Sequence, residues 1–353
     1  MSQAHGSLKG KLSALKGAMT AACDENIFQN AVIRVNVGSK NWLTLSYVDG
    51  QESHDGHDRL FDIASKTKAL IAIMVHAMVK MGTISLDSTV GEVFASTKRK
   101  VSQSVATLTI RQLLVHSAYF HLPTSLKQLA GDDIIRAILE SEAETGVFAY
   151  TNNCYLLLGA LLESRTGKNL QDLYTSLFSG RVCTEGLYWS RHIPAPLISK
   201  VVPTTADPKA NLMPHDPTSR NLQQGYSLSG AAGVFTSAPM LAGFFKTVLW
   251  GNGGIIADES RAMLRVNAVR DFRREHGSKD PTSPEFAEFG MNMDIRGGRV
   301  HNWPTGHTGC EGLIIDELAM VAVLLTDAVR WGDESRKAVR GFFRKTVAGI
   351  LIP

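Results

Sequence analysis

Clustered cysteine is missing from this chain. Cys23, Cys154, Cys183 and Cys310 stand far apart, with no Cys-x-x-Cys spacing. That excludes a cysteine-held metal or redox cluster and makes reduced thiols in a cytosolic protein the simple expectation. No segment is long and apolar enough to cross a bilayer, so no membrane partner is expected. Charge of one sign is also scarce. Lys and Arg number 37 against 33 Asp and Glu, a net +4 over 353 residues, which gives little ground for a nucleic-acid partner. The basic run Arg261, Arg265, Arg270, Arg273 and Arg274 reads as a solvated helix face. Internal repeats and low-complexity tracts are absent. Near the N-terminus Lys9, Lys11 and Lys16 precede Ala18-Met19-Thr20-Ala21-Ala22-Cys23, a faint likeness to a lipoprotein leader. The apolar stretch is too short and Asp24-Glu25 follow at once, so no export signal is read and a cytoplasmic address is expected.

What is present begins with a core: 44% hydrophobic residues over this length suffice for one elaborate domain or two interleaved ones. The most informative stretch is Phe61-Asp62-Ile63-Ala64-Ser65-Lys66-Thr67-Lys68, where an apolar segment runs into Ser-x-x-Lys and then into the helical run Leu70–Val79. Residues three apart on a helix share a face, which sets the Ser65 hydroxyl beside the Lys68 amine. A serine hydroxyl needs a neighbouring base to become a nucleophile, and a buried lysine held neutral can be that base. A second Ser-x-x-Lys, Ser13-Ala14-Leu15-Lys16, sits on an amphipathic pattern of Leu8, Leu12, Leu15 and Met19, which turns its polar residues to water.

Two more pieces follow in order. Tyr150-Thr151-Asn152 is the only Tyr-x-Asn and leads into the helical run Leu156–Leu162. His307-Thr308-Gly309 precedes Cys310–Asp316 and Met320–Leu325, which read as neighbouring strands. Each has a plain structural reading: a half-buried tyrosine, an Asn cap, a Thr-Gly turn. Their joint order and spacing favour a site. His54-Asp55-Gly56-His57, by contrast, reads as a solvent loop rather than a cation site.

On these residues the chain resembles the serine β-lactamase-like superfamily, in the branch of class C β-lactamases, D-stereospecific peptidases and related esterases and transesterases. The resemblance extends through Gly82–Val90, Ile110–Ser117, His215-Asp216-Pro217, Gly230–Ser237 and Gly306–Gly309 with Gly312. It implies a mechanism through an acyl-enzyme on Ser65. Lys68 and Tyr150 form one coupled proton system, either of them the base, and Asn152 orients Lys68 and binds the acyl side chain. The backbone N–H groups of Ser65 and Cys310 hold the oxyanion, while Thr308 and His307 line the wall and Gly309 allows close substrate approach. Ala118-Tyr119 departs from the family's usual Ser-Gly. His307 stands where the family often has Lys, which removes a fixed positive charge and ranks β-lactam or peptide substrates below esters and amides.

The expected architecture is α+β: an antiparallel sheet flanked by N- and C-terminal helices, with a mostly helical insertion. Residues 1–85 and 225–353 would form the sheet domain and 86–224 the helical one, the site at their junction. No convincing strand pair is read between about 86 and 224. Strands are expected from Phe289 and Thr308 and near Met320, and a surface loop over 275–284. The function expected is a serine esterase or amidase on a small-molecule acyl substrate, without metal or cofactor. The alternatives are a biosynthetic acyltransferase using the same acyl-enzyme, a β-lactamase or D-amino peptidase, and a non-catalytic sensor.

Overall fold

The computed structural model describes residues 2–38, 40–146, 148–180, 186–208, 210–225, 227–251, 254–264, 300–302 and 306–351. Cys183, the strand expected from Phe289 and the loop expected over 275–284 lie outside them. The first helix, α1 (Ser2–Asp24), leads to β1 (Ala31–Val37), β2 (Lys40–Val48), β3 (Gln51–Glu52) and β4 (Phe61–Asp62). A single 3-10 turn, Ala64–Lys66, carries Ser65 into α2 (Thr67–Lys80). The middle of the chain holds α3 (Val90–Phe94), α4 (Gln103–Ala106), α5 (Ile110–Leu114), α6 (Asp132–Glu140), α7 (Asn152–Thr166), α8 (Leu170–Phe178) and α9 (Pro217–Leu222). It also contains β5 (Ala118–His121) paired antiparallel with β6 (Glu142–Thr145), and β7 (Leu187–Trp189). The strand pair corrects the strand-free expectation. Its four-residue strands are too short for a period-2 pattern to stand out, and Glu142-Ala143-Glu144-Thr145 is no β-former.

After β8 (Val234–Thr236) and α10 (Ala238–Trp250), the chain returns through β9 (Val300–Asn302), β10 (Glu311–Ile315) and β11 (Met320–Thr326). The main sheet runs β3-β2-β1-β11-β10-β9 and every pairing in it is antiparallel, so early and late strands meet at β1–β11. The fold is α+β, as expected, with one antiparallel sheet covered by helices on both faces.

Both faces of the central strands are apolar, as a covered sheet requires. Ile33, Val35, Leu313, Ile315, Ala322 and Leu324 point to one side. There they pack with Leu15 and Met19 of α1 and with Val339, Phe343 and Val347 of the closing helix Asp333–Phe342 and its extension. Val32, Ile314, Val321, Val323 and Leu325 point to the other side and join α2, α10 and the helical middle in one continuous core. Alternate residues serve opposite cores because the strand period is two. Leu15 and Met19 are both fully buried, which settles Ser13-Ala14-Leu15-Lys16 as the polar rim of a packed helix. α2 is apolar almost all round and buried from Thr67 to Met78. It forms the rigid floor on which Ser65 and Lys68 stand.

Candidate active site

The turn that carries Ser65 is held in an unusual backbone shape. Ala64 has φ +46, a left-handed conformation costing an alanine on the order of 1 kcal/mol. The Asp62 carboxylate maintains it by accepting the Ala64 N–H at 2.8 Å. Its second oxygen accepts the His215 N–H at 2.7 Å, tying the loop before α9 to the same turn. Asp62 is fully enclosed, and that burial pushes its carboxyl up to about 6, against the pull of the two N–H donors. Ser65 is half-buried and points out of this turn.

Lys68 lies one helical turn on, only 2% exposed. Its Nζ is 3.0 Å from Ser65 Oγ, 2.9 Å from Asn152 Oδ1 and 3.0 Å from the Ala231 carbonyl oxygen. Asn152 is brought there by the start of α7, where the Thr151 hydroxyl caps the helix by accepting the Asn153 N–H. The Asn152 Nδ2 in turn donates to Asp216 Oδ1 at 3.1 Å. Ala231 is placed by close packing of its segment on α7: a Cβ on Gly230 would lie 2.2 Å from the Tyr155 carbonyl oxygen.

Tyr150 shows a different relation. It is 37% exposed, and its ring centroid lies 5.3 Å from Lys68 Nζ, so the amine sits over the aromatic face. Among the described residues no hydrogen bond joins its hydroxyl to Ser65 or Lys68. The ring rests on His116 at 4.6 Å between centroids. His116 is buried with φ +54, in the turn whose sequence departs from the family's Ser-Gly. Burial above all pushes its imidazole down to about 3, so Tyr150 packs against a neutral ring.

The strand-side residues lie on the opposite wall. A Cβ on Gly306 would come within 2.8 Å of the Ile63 carbonyl oxygen, so the Gly306 segment passes directly beside the Ser65 turn. The Cys310 carbonyl accepts the Gly306 N–H at 2.8 Å. The N–H and C=O of an extended residue share a side, so the Cys310 N–H faces the same edge. The Cys310 thiol is buried and pushed up to about 11 by that burial, which leaves its backbone as the useful part. Thr308 is fully buried and its hydroxyl donates to the Asp62 carbonyl at 2.6 Å. It therefore fastens the wall rather than lining it. Gly309 likewise faces inward: at φ +97, a Cβ there would strike Thr326 Oγ1 at 2.5 Å and Ala328 Cβ at 2.8 Å. Room for neighbouring side chains, not for substrate, requires this glycine.

His307 is exposed and stacks on His215 with centroids 5.5 Å apart. Arg336 Nη1 lies 3.1 Å from His307 Nδ1. A guanidinium only donates, so Nδ1 accepts and the imidazole is neutral with its proton on Nε2. Burial of the ring's inner part and the Arg336 charge push His307 down to about 4. The positive charge lost in replacing Lys by His is thus partly restored by Arg336 behind it. Asp62, Asp216, Ala231 and Arg336 had no role assigned from sequence. The His215-Asp216-Pro217 and Gly230–Ser237 blocks offered a signal for Asp216 and Ala231.

The chain belongs to the β-lactamase family, whose model, described as Beta-lactamase, matches residues 19–341. Penicillin-binding protein 4 of Amycolatopsis lactamdurans is 27% identical over 122 residues, 33% of this chain and 32% of that protein. The chain thus matches about a third of that relative's length. Among solved structures, EstCE1, described as a hydrolase with promiscuous acyltransferase activity, superposes with TM-score 0.68 at 17% identity. That match covers 94% of this chain and 99% of the other. A class C β-lactamase from Rhodobacter sphaeroides gives TM-score 0.66 at 16% identity, covering 95% and 99%. These likenesses establish a shared fold. No helix among the described residues is long and apolar enough to cross a membrane.

Proposed function

We propose that this chain is a serine hydrolase that forms an acyl-enzyme on Ser65 with a small ester or amide substrate. The observation that carries the reading is Lys68, buried and 3.0 Å from Ser65 Oγ. As Ser65 Oγ attacks the carbonyl carbon, its proton passes to the Lys68–Tyr150 system and the carbonyl electron pair moves to oxygen. The backbone N–H groups of Ser65 and Cys310 receive that oxyanion. Collapse expels the alcohol or amine, which takes the proton back, and leaves the acyl group on Ser65. Asn152 keeps Lys68 in place, and the exposed Tyr150 and His307 face the substrate. Buried Cys23, Cys154 and Cys310, free in the described residues, support a reducing, cytoplasmic setting.

A second reading, acyl transfer to an alcohol or amine, shares the first half-reaction. The likeness to EstCE1, whose description includes acyltransferase activity, favours keeping it. Turnover of p-nitrophenyl butyrate with and without added alcohols and amines separates the two. Free butyrate throughout supports the hydrolase; butyryl esters or amides in excess of acid support the transferase. Absence of any turnover or adduct overturns both and leaves a non-catalytic binding protein.

A further inference from the structure

Six residues close a hydrogen-bonded circuit through Lys68, and its directions are chemically determined. Ser229 Oγ accepts the Ala231 N–H at 3.1 Å and the Ala232 N–H at 3.3 Å, so its own proton turns to Ser219 Oγ at 2.8 Å. Ser219 Oγ, having accepted there, donates to Asp216 Oδ2 at 2.7 Å, beside the Ser219 N–H at 2.8 Å. Asp216 Oδ1 receives the Asn152 Nδ2 at 3.1 Å. The Asn152 oxygen is therefore left for Lys68, at 2.9 Å, and the Ala231 carbonyl completes the ring at 3.0 Å.

A terminal amide can present either its oxygen or its NH2 group to a neighbour. An ionised carboxylate only accepts, so Asp216 takes the NH2 and fixes which end Lys68 meets. The consequence lies in the amine. In the neutral form that a base must take to accept the Ser65 proton, the Lys68 amine has two N–H bonds and one lone pair. Asn152 Oδ1 and the Ala231 carbonyl are both pure acceptors and take the two N–H bonds. The lone pair is then left to the third neighbour, the Ser65 hydroxyl at 3.0 Å. With Asn152 reversed, its NH2 would compete for that lone pair.

We infer that Asp216 is a positioning residue for acylation: by orienting the Asn152 amide it aims the Lys68 lone pair at Ser65. The inference rests on the reading of Ser65 as nucleophile, and its test separates the two. Ser65 in the full chain is labelled with an alkyl fluorophosphonate, and the maximal labelling rate and half-saturating concentration are measured by intact mass. Asp216→Asn should lower the maximal rate about 10–100-fold with half-saturation within about 2-fold, a general-base-sized effect. Asn152→Ala should lower it comparably. The double variant should lose no more than Asn152→Ala alone, since Asp216 acts through Asn152.

An Asp216 that merely caps α9 would lower the melting temperature and leave labelling untouched. A wild-type labelling rate in Asp216→Asn, or losses that multiply in the double variant, would overturn the inference. Failure of the wild type itself to label overturns the nucleophile reading instead. In that case the Asn152 side-chain amide decides by NMR. Slow NH2 exchange in the wild type that becomes fast in Asp216→Asn supports the orienting role; identical exchange contradicts it.

Discussion

The two sides of the Ser65 hydroxyl are built differently. On the inner side Lys68 is buried, and the two acceptors it meets besides Ser65, Asn152 Oδ1 and the Ala231 carbonyl, are themselves held in place. On the outer side Tyr150 is 37% exposed and His307 is exposed, each resting on an imidazole, His116 or His215. Under the proposed mechanism, the contrast teaches that the proton acceptor is prepared before any substrate arrives, while the side proposed to meet substrate keeps freedom to adapt. Preorganised polar groups cost nothing to reorient during reaction, which is where catalysis gains most.

The sharpest way to break this contrast is Lys68→Met, which fills the buried space without a base. Acylation by p-nitrophenyl butyrate should slow about 10³–10⁴-fold, read from the initial p-nitrophenol release. A small loss would move the base to Tyr150 and invert the account. Tyr150→Phe keeps the ring on His116 and removes only the hydroxyl, so a loss of about 10²-fold is expected, measured as kcat. An unchanged kcat would take Tyr150 out of the chemistry altogether.

Gly309→Ala tests the wall rather than the proton system. Its methyl group meets Thr326 and Ala328 at a left-handed backbone position, so a stability loss of about 2–4 kcal/mol in urea unfolding is expected. A stable, slow variant would instead return Gly309 to the substrate-facing side.

The smallest effect concerns pH. His116, His76 and His307 are held near 3, 4 and 4, so their contribution to stability is present above the ordinary histidine value and is lost as pH falls below it. Asp62 near 6 and Glu163 near 7 act oppositely, losing stability as pH rises through those values. Between about 6 and 4.5 the three histidines outnumber the two carboxyls, so the melting temperature should decline as pH is lowered. His116→Asn, which tolerates the left-handed backbone, should flatten that decline; an unaltered slope would show that His116 is not held neutral.

Much of the fold was legible because it rests on local periodicity. The helical runs Leu70–Val79 and Leu156–Leu162 and the strand near Met320 are apolar stretches with clear periodicity, and they fall within Thr67–Lys80, Asn152–Thr166 and Met320–Thr326. The β5–β6 pair was not, since four-residue strands carry almost no periodic signal. In the site, Ser65, Lys68 and Asn152 were readable as a spacing and a motif, and they do come together. Thr308 and Gly309 show the limit of that method. A motif names positions but not the direction a side chain takes, and here both turn inward to Asp62 and Thr326. Asp216 and Ala231 were illegible for another reason. One acts through a neighbour's amide and the other through a backbone carbonyl, and neither leaves a residue-type signature of its own.

The central claim, that Ser65 is an acylated nucleophile, is tested most directly by intact-protein mass after brief exposure to p-nitrophenyl butyrate, with Ser65→Ala alongside. One butyryl group on the wild type, or steady p-nitrophenol release, and neither in the variant is the predicted result. Equal acylation of Ser65→Ala, or a wild type that neither gains mass nor releases p-nitrophenol, would contradict it.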